Sequence, residues 1–232
     1  MTQTALKKIL LLLILNLELS TSEGDMAWIG GNYYLNQSQM ENNAALIWEY
    51  LGSYGWTENA VAALLGNMQK ESSINPGIWE NLTAGSGGYG LVQWTPYTKY
   101  ANWAGNQWEN NGYLELQRIL YEIPLTGSEA QWIATTQYNL SFAEFTQSTA
   151  SVAWLTSAFM HNYERPASYS TEAERQGYAA SWYQFIQDEP APPPDPPVPP
   201  EPTAEDQAPY WLFAAWASTK WQRNFTNINR FV

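Results

Sequence analysis

Glu71 is the residue whose type and position point most directly to chemistry. Leu64, Met68 and Glu71 are spaced by four and then three residues, which places them on one face of a helix. A carboxyl group at the end of an apolar face is partly desolvated, and desolvation favours the neutral form that donates a proton. Glu71 is therefore a candidate general acid. The alternative is an ordinary glutamate in the last turn of a helix, solvated or ion-paired.

The residues after Glu71 predict a cleft beside it. Ser72 and a turn at Pro76 come first, a glycine-rich loop occupies residues 85–90, and Gln93 and Trp94 follow that loop. Such a loop can bring polar and aromatic groups opposite an acid on a helix end. This arrangement predicts an acid on one wall of the cleft and amide and aromatic side chains on the other.

The elements that would position these groups read as helices. Thr57 precedes an apolar stripe as a helix cap, and Pro124 ends another stripe. Thr95-Pro96 resembles a cap followed by proline at the first helical position. The capping-box spacing occurs at Ser38/Glu41, Ser141/Glu144 and Thr171/Glu174. No long alternating stretch is present, so the fold is predicted to be mostly α, with a small hairpin within residues 79–94.

Composition excludes several classes of function. The 232-residue chain carries 10 Lys and Arg against 22 Asp and Glu, a formal charge of −12 that disfavours binding to nucleic acid. It has no cysteine and one histidine, His161, which rules out Cys/His zinc sites and Cys–His nucleophiles. We expect His161 to be structural, and neither a metal nor a cofactor is predicted.

The two ends differ from the middle. Residues 1–25 contain lysines and then a short apolar run, which fits a secretory signal peptide or a disordered leader but is too short to span a bilayer. Residues 188–209 hold ten of the 14 prolines and predict an extended acidic linker. Residues 210–232 form a short aromatic segment. The folded domain is predicted to occupy residues 28–187.

Three ordered motifs carry a resemblance to a known family. They are GNMQKESSINPGIW at residues 66–79, GYGLVQWTP at residues 88–96 and YERP at residues 163–166. Together, over about residues 33–186, the chain resembles the phage tail-type lysozyme family. The resemblance implies a lysozyme-like helical domain, followed here by the Pro-rich linker and the short C-terminal segment. It also implies cleavage of the glycan strand of peptidoglycan.

The resemblance also implies roles for individual residues. Glu71 matches the catalytic acid of the family. Gln93 takes the position that lines the glycan cleft in the similar glycine-loop motif of lytic transglycosylases. Glu164 and Arg165 of the third motif either reach the cleft or simply form a structural ion pair.

The identity of a second catalytic group stays open. No aspartate occurs between Asp25 and Asp188, so a second carboxylate inside the domain must be a glutamate. The motifs place Glu80 and Glu164 as candidates. If there is no second carboxylate, one glutamate acts as acid and then as base, and the N-acetyl or 6-hydroxyl group of the substrate takes the second role. The product is then a free reducing end, as in a muramidase, or a 1,6-anhydro end, as in a lytic transglycosylase. The resemblance favours hydrolysis.

Aromatic and polar side chains in the motifs are candidate substrate-binding groups. We expect Ser72, Trp79, Tyr89, Gln93, Trp94 and Tyr163 to line the glycan cleft. Core packing is the alternative for each ring. Trp154 and Trp182 lie within helical stripes and are predicted to pack in the core.

The expected partners follow from these predictions. They are peptidoglycan glycan strands and, through residues 210–232, phage tail proteins, with the enzyme in a virion tail or secreted to the cell wall. An anionic wall repels a protein of net charge −12, so a tether through the linker would deliver it. A non-catalytic glycan-binding module and a structural tail component remain as rivals.

Overall fold

The computed structural model describes residues 27–188, and this part of the chain is mostly helical. Seven α-helices and one hairpin follow in chain order: α1 Gln37–Ser53, α2 Glu58–Ser72, β1 Trp79–Asn81, β2 Ser86–Tyr89, α3 Thr98–Ala104, α4 Gly112–Glu122, α5 Phe142–Thr146, α6 Val152–Phe159 and α7 Glu172–Asp188. Short 3-10 helices lie at Gly105–Gln107 and Gly127–Glu129, and a π-helix at Met160–Glu164. The predicted fold class is confirmed.

The predicted leader at residues 1–25 and the segment at residues 210–232 lie outside the described residues. So does the predicted linker, except for Asp188, the last residue of α7. None of the helices between residues 27 and 188 is long and apolar enough to cross a membrane.

Helix α2 is the central element of the core. Its residues from Ala60 to Leu65 and Met68 are fully buried, and it packs against α1, α6 and α7. Gly66 lets α7 come close, because a Cβ on Gly66 would lie 2.6 Å from the Cβ of Ala179 and 2.7 Å from the carbonyl oxygen of Arg175. This close approach places the start of α7 beside the end of α2, where Glu71 lies.

Helix ends follow local hydrogen bonding. Thr57 caps α2 by accepting from the amide of Ala60, and Ser141 forms the predicted capping box with Glu144. The predicted box at Ser38 and Glu41 is wrong, because Asn36 caps α1 instead, in a box with Gln39.

The predicted cap at Thr95 is also wrong. Its hydroxyl donates to the carbonyl of Gln93 at 3.0 Å, and α3 begins only at Thr98. The proline after Thr95 therefore lies outside the helix rather than at its first position.

The predicted hairpin is confirmed. Strands β1 and β2 pair antiparallel, with Trp79 opposite Tyr89 and Asn81 opposite Ser86. Edge-to-face contacts join Trp79 to Tyr89, Tyr97 and Trp108 at 4.9–5.9 Å between ring centroids. The hairpin is thereby anchored to the aromatic residues that follow it.

The two tryptophans predicted to lie in the core differ. Trp182 is buried, as predicted, and its indole N–H donates to the amide oxygen of Gln69. Trp154 is 37% exposed, so the core prediction is wrong for this residue. Trp154 lies in the first turn of α6, where its ring contacts Tyr138 rather than the apolar interior.

Candidate active site

Glu71 lies in the last turn of α2 and is partly open to solvent. The helix ends at Ser72, and both Ser73 and Ile74 adopt left-handed backbone conformations that turn the chain away. The Glu71 side chain is 20% exposed, and its Oε1 lies 2.5 Å from Nη2 of Arg175. In this structure Glu71 is therefore an ion-paired carboxylate that solvent can reach.

Arg175 is held rigidly on the buried face of α7. Besides Glu71, its guanidinium donates to the amide oxygen of Asn67 at 3.1 Å and to the hydroxyl of Thr171 at 3.2 Å. The sequence analysis missed Arg175. The sequence pattern that could have identified Arg175 is a cation within a helical stripe of buried residues. That stripe on α7 consists of Arg175, Ala179, Trp182 and Ile186. A cation on such a face needs an anionic partner.

Glu164, from the third motif, lies close to Glu71. Its Oε1 is buried and has no hydrogen-bond partner among the described residues. Burial raises the pKa of Glu164 well above its ordinary value, and the negative charge of Glu71 raises it further, against the opposing effect of Arg175. The folded chain thus places a carboxyl group with a raised pKa next to the ion pair of Glu71 and Arg175.

Arg165, the neighbour of Glu164, has other partners. Its guanidinium donates to the carbonyl oxygens of Gln131 and Asn162. No salt bridge joins Glu164 to Arg165 in the described part of the chain. The structural ion pair considered for this motif is therefore not formed here.

The glycine-rich loop is joined to the end of α2. Oγ of Ser72 lies 2.9 Å from the carbonyl oxygens of both Met68 and Leu91, so its single proton is shared between helix and loop. Gln93 has a left-handed backbone, and its Nε2 donates to the carbonyls of Gly90 and Ile78. Ser72 is buried and Gln93 half-buried. These bonds fix the second motif against the first.

Two buried glutamates of α4 lie beneath this loop, and the sequence analysis missed both. Oε2 of Glu115 accepts from the amide of Leu91 at 2.6 Å, while its Oε1 has no partner among residues 27–188. Burial raises the pKa of Glu115 well above its ordinary value. The signal was available, because Glu115 and Glu122 are spaced by seven residues on the same helix face as Ile119.

Glu122 joins the second and third motifs. Its carboxylate accepts from the indole N–H of Trp94 at 3.2 Å, from the hydroxyl of Tyr163 at 2.5 Å and from Nε of Arg118 at 2.8 Å. Burial raises the pKa of Glu122, and the charge of Arg118 opposes that shift. Glu122 thus serves as a fully bonded anchor in the core.

The aromatic candidates lie mostly beneath the surface. Tyr89, Trp94 and Tyr163 are buried, and Trp94 stacks on Tyr100 at 4.9 Å. Trp79 alone of the four is half-exposed. Core packing is what the structure shows for the three buried rings, and direct contact of Ser72, Tyr89, Trp94 or Tyr163 with substrate stays a prediction.

Glu80, the other candidate for a second carboxylate, belongs to the hairpin. Its side chain is exposed on β1, and its Oε2 accepts from the amide of Gly88 at 2.9 Å. Glu164, by contrast, is near enough to Glu71 for their charges to interact. The structure therefore brings Glu164, rather than Glu80, into electrostatic contact with the candidate acid.

His161 and the other titratable groups do not form a metal site in the described residues. His161 stacks on Tyr169 at 4.1 Å, and its Nε2 lies 3.6 Å from the carboxylate of Glu172. Between residues 27 and 188, no three His, Asp or Glu side chains come together as metal ligands.

Two comparisons with known proteins cover this part of the chain. The family model of the phage tail lysozymes matches residues 42–186, a range that contains all three motifs. The chain is also 46% identical over 159 residues to Morphogenesis protein 1 of Bacillus phage B103. That alignment covers 67% of this chain and 42% of the relative, so the chain spans about two fifths of the relative's length.

Proposed function

The chain belongs to the phage tail lysozyme family, and on that premise we propose that it cleaves the glycan strand of peptidoglycan. The bond is the β-1,4 linkage between N-acetylmuramic acid and N-acetylglucosamine, and Glu71 acts as general acid and then as general base. One observation carries the proposal: a solvent-reachable carboxylate, Glu71, lies beside the buried carboxyl of Glu164 at the junction of the sequence motifs.

The two carboxyl groups have different parts in this proposal. Two neighbouring carboxyls share one proton when their charges repel each other. Glu164, with its buried Oε1 and raised pKa, keeps the proton, whereas Glu71 is the member that a bound glycan can touch. Transfer of that proton to Glu71, with release of its contact to Arg175, prepares Glu71 to protonate the glycosidic oxygen. Glu164 is thus a proton reservoir and not a nucleophile.

The glycine-rich loop forms the opposite wall in this proposal. The residues just after the loop complete this wall: Ser72 and Glu115 fix the backbone of Leu91, and Gln93 is half-exposed. We assign Gln93 and Trp79 to contact with the sugar, and the buried rings below them to holding the wall in place.

A transglycosylase reaction is the second candidate for the same site. Glu80 accepts from the hairpin amide of Gly88, and Oε1 of Glu164 is buried, so we assign neither carboxylate as a nucleophile beside Glu71. In that case the 6-hydroxyl of the substrate attacks and leaves a 1,6-anhydro end, with Glu71 as the base. The end groups of the released fragments distinguish the two reactions.

The test of Glu71 uses purified Gram-positive cell walls and the full chain. Glu71→Gln should lower the rate of wall solubilisation by about 10²- to 10⁴-fold, the usual contribution of a general acid. Glu174→Gln is the matched control, because Glu174 is an exposed glutamate that pairs with Lys70. Equal rates for wild type and Glu71→Gln would favour a glycan-binding module or a structural tail component without turnover.

We further propose that the protein acts from a phage virion at the bacterial wall, held there through residues 210–232. The net charge of −12 supports this, since a free enzyme of that charge is repelled by an anionic wall. A chain ending at Gln187 should then separate from purified virions. Its continued co-purification with them would refute the tether.

A further inference from the structure

A row of four aromatic side chains reaches the surface at its two ends, while Tyr138 inside the row is buried. Four rings are in serial contact: Trp154 to Tyr138 at 5.5 Å, Tyr138 to His161 at 4.9 Å, and His161 to Tyr169 at 4.1 Å. We call Trp154, Tyr138, His161 and Tyr169 the aromatic ladder. Its two outer rings are exposed, Trp154 by 37% and Tyr169 by 42%.

The ladder is organised by the protein rather than scattered. Single exposed aromatic residues are normal. Here the two exposed rings are joined through two inner rings, so the fold fixes their relative positions. The hydroxyl of Tyr138 lies 3.4 Å from Oε1 of Glu172, and Nε2 of His161 lies 3.6 Å from Oε2 of the same carboxylate. The Glu172 carboxylate thus lies beside both inner rings, and only its contact with Tyr138 is short enough for a hydrogen bond.

Helix α7 connects the ladder to the candidate active site. Glu172, which lies beside the inner rings, and Arg175, which pairs with Glu71, are three residues apart on α7. Residues at this spacing lie on the same helix face, about 4.5 Å apart along the axis. The π-helix contributes to both regions, since it contains His161 and Glu164. The residue that pairs with Glu71 and the residue beside the ladder are therefore within one turn of α7.

We propose that the aromatic ladder is a second binding surface for the sugar rings of the same glycan strand, beyond the bond that is cleaved. Flat aromatic faces flanked by amide and carboxylate groups suit pyranose rings, which have apolar faces and hydroxyl edges. The amide of Gln137, bonded to Tyr138 at 3.1 Å, supplies one such polar group.

The negative charge beside the ladder favours binding of neutral sugar rings over binding of the anionic polymers of the wall. The charged side chain that contacts the ladder is the carboxylate of Glu172, and no Lys or Arg contact with the ladder occurs within residues 27–188. A phosphate-rich chain would be repelled at this surface. The proposal rests on the proposed function only for the identity of the glycan.

The test measures binding of the full chain to peptidoglycan from which anionic polymers have been stripped, with Glu71→Gln present throughout so that the wall stays intact. Adding Trp154→Ala and Tyr169→Ala should weaken binding about tenfold, as expected for loss of two exposed aromatic contacts. Adding Tyr54→Ala, a matched exposed ring that packs on Tyr50 elsewhere, should leave binding unchanged. Oligomers of N-acetylglucosamine should compete with the wall for the parent protein.

Further variants keep the test decisive if the double variant unfolds. Trp154→Ala and Tyr169→Ala alone should each weaken binding about threefold, whereas Trp154→Tyr, which keeps a ring, should restore most of it. Unchanged wall binding in folded ladder variants would overturn the proposal. So would loss of virion incorporation with normal wall binding, because the ladder would then be a protein interface.

This result is independent of the catalytic test. If Glu71→Gln left wall solubilisation intact, the proposed function would fail, and binding of the ladder variants would then be measured with soluble oligomers of N-acetylglucosamine instead of intact walls. If wall solubilisation depended on Glu71 but ladder variants bound normally, the ladder proposal alone would fail.

Discussion

Glu122 and Glu164 both hold carboxyl oxygens inside the protein and both adjoin Tyr163, yet their surroundings are opposite. Glu122 accepts hydrogen bonds from Arg118, Trp94 and Tyr163. Glu164 has a buried oxygen without a donor, and its closest charges include the like charge of Glu71. A buried carboxylate with hydrogen-bond donors stabilises the fold. One without donors lowers stability, and such groups are found most often at functional sites. Glu115 also has a buried oxygen without a donor, but only Glu164 combines this with the nearby charge of Glu71. We therefore assign Glu122 to structure and Glu164 to chemistry.

The largest expected effect is on the structural side of this comparison. Glu122→Gln removes the anion that neutralises Arg118, whose side chain is only 13% exposed. Breaking such a buried pair should lower the free energy of unfolding by about 3 kcal/mol, measured by urea unfolding. The rate of wall solubilisation per folded molecule should be close to wild type. If Glu122→Gln were stable but inactive, Glu122 would have a catalytic rather than a structural role.

The reciprocal variant, Glu164→Gln, should affect activity and not stability. Glutamine resembles the neutral carboxyl that burial favours, so the free energy of unfolding at neutral pH should not fall. It holds no exchangeable acid proton, so wall solubilisation should slow by about a hundredfold. If Glu164→Gln were destabilised and fully active, Glu164 would have a structural rather than a chemical role.

Tyr163→Phe tests the residue that adjoins both glutamates. It removes the 2.5 Å hydrogen bond to Glu122, which should cost about 1.5 kcal/mol of unfolding free energy, as for a bond to a charged group. Because Tyr163 is buried, the Michaelis constant for soluble glycan fragments should not change. A large rise in that constant would instead indicate the direct substrate contact that the sequence motif predicted.

The smallest expected effect is on the pH dependence of stability. The pKa of Glu164 is raised in the folded state, so above about pH 4.5 the unfolded chain loses a proton that the folded chain keeps. The free energy of unfolding therefore falls as pH rises, by at most about 1.4 kcal/mol per pH unit for one proton. Glu164→Gln should remove this contribution. Parallel curves of unfolding free energy against pH for the two proteins would show that Glu164 ionises normally.

The sequence predicted those features that depend on nearby residues. Thr57, the Ser141/Glu144 box and the hairpin were all predictable, because a cap or a tight turn is decided within a few residues. The errors at Ser38 and Thr95 have a local cause too. Asn36 provides the cap for α1, and the hydroxyl of Thr95 donates back to the carbonyl of Gln93.

The site was predictable only in part, since its members come from distant segments. Glu71, Gln93 and Glu164 could be chosen from motifs, but the partner of Glu71 is Arg175, 104 residues away in the chain. Periodicity places Arg175 on a buried face but does not say which acid it meets. It also placed Trp154 in a helical stripe without showing that this side chain faces solvent.

The most direct test of the account is mass spectrometry of the fragments that the full chain releases from purified Gram-positive peptidoglycan, beside Glu71→Gln. We predict fragments with free reducing-end N-acetylmuramic acid from the wild type and none from the variant. Anhydro ends that depend on Glu71 would keep the site but replace hydrolysis with the transglycosylase reaction. The same fragments from both proteins, or no fragments from either, would contradict the claim that Glu71 cleaves the glycan strand.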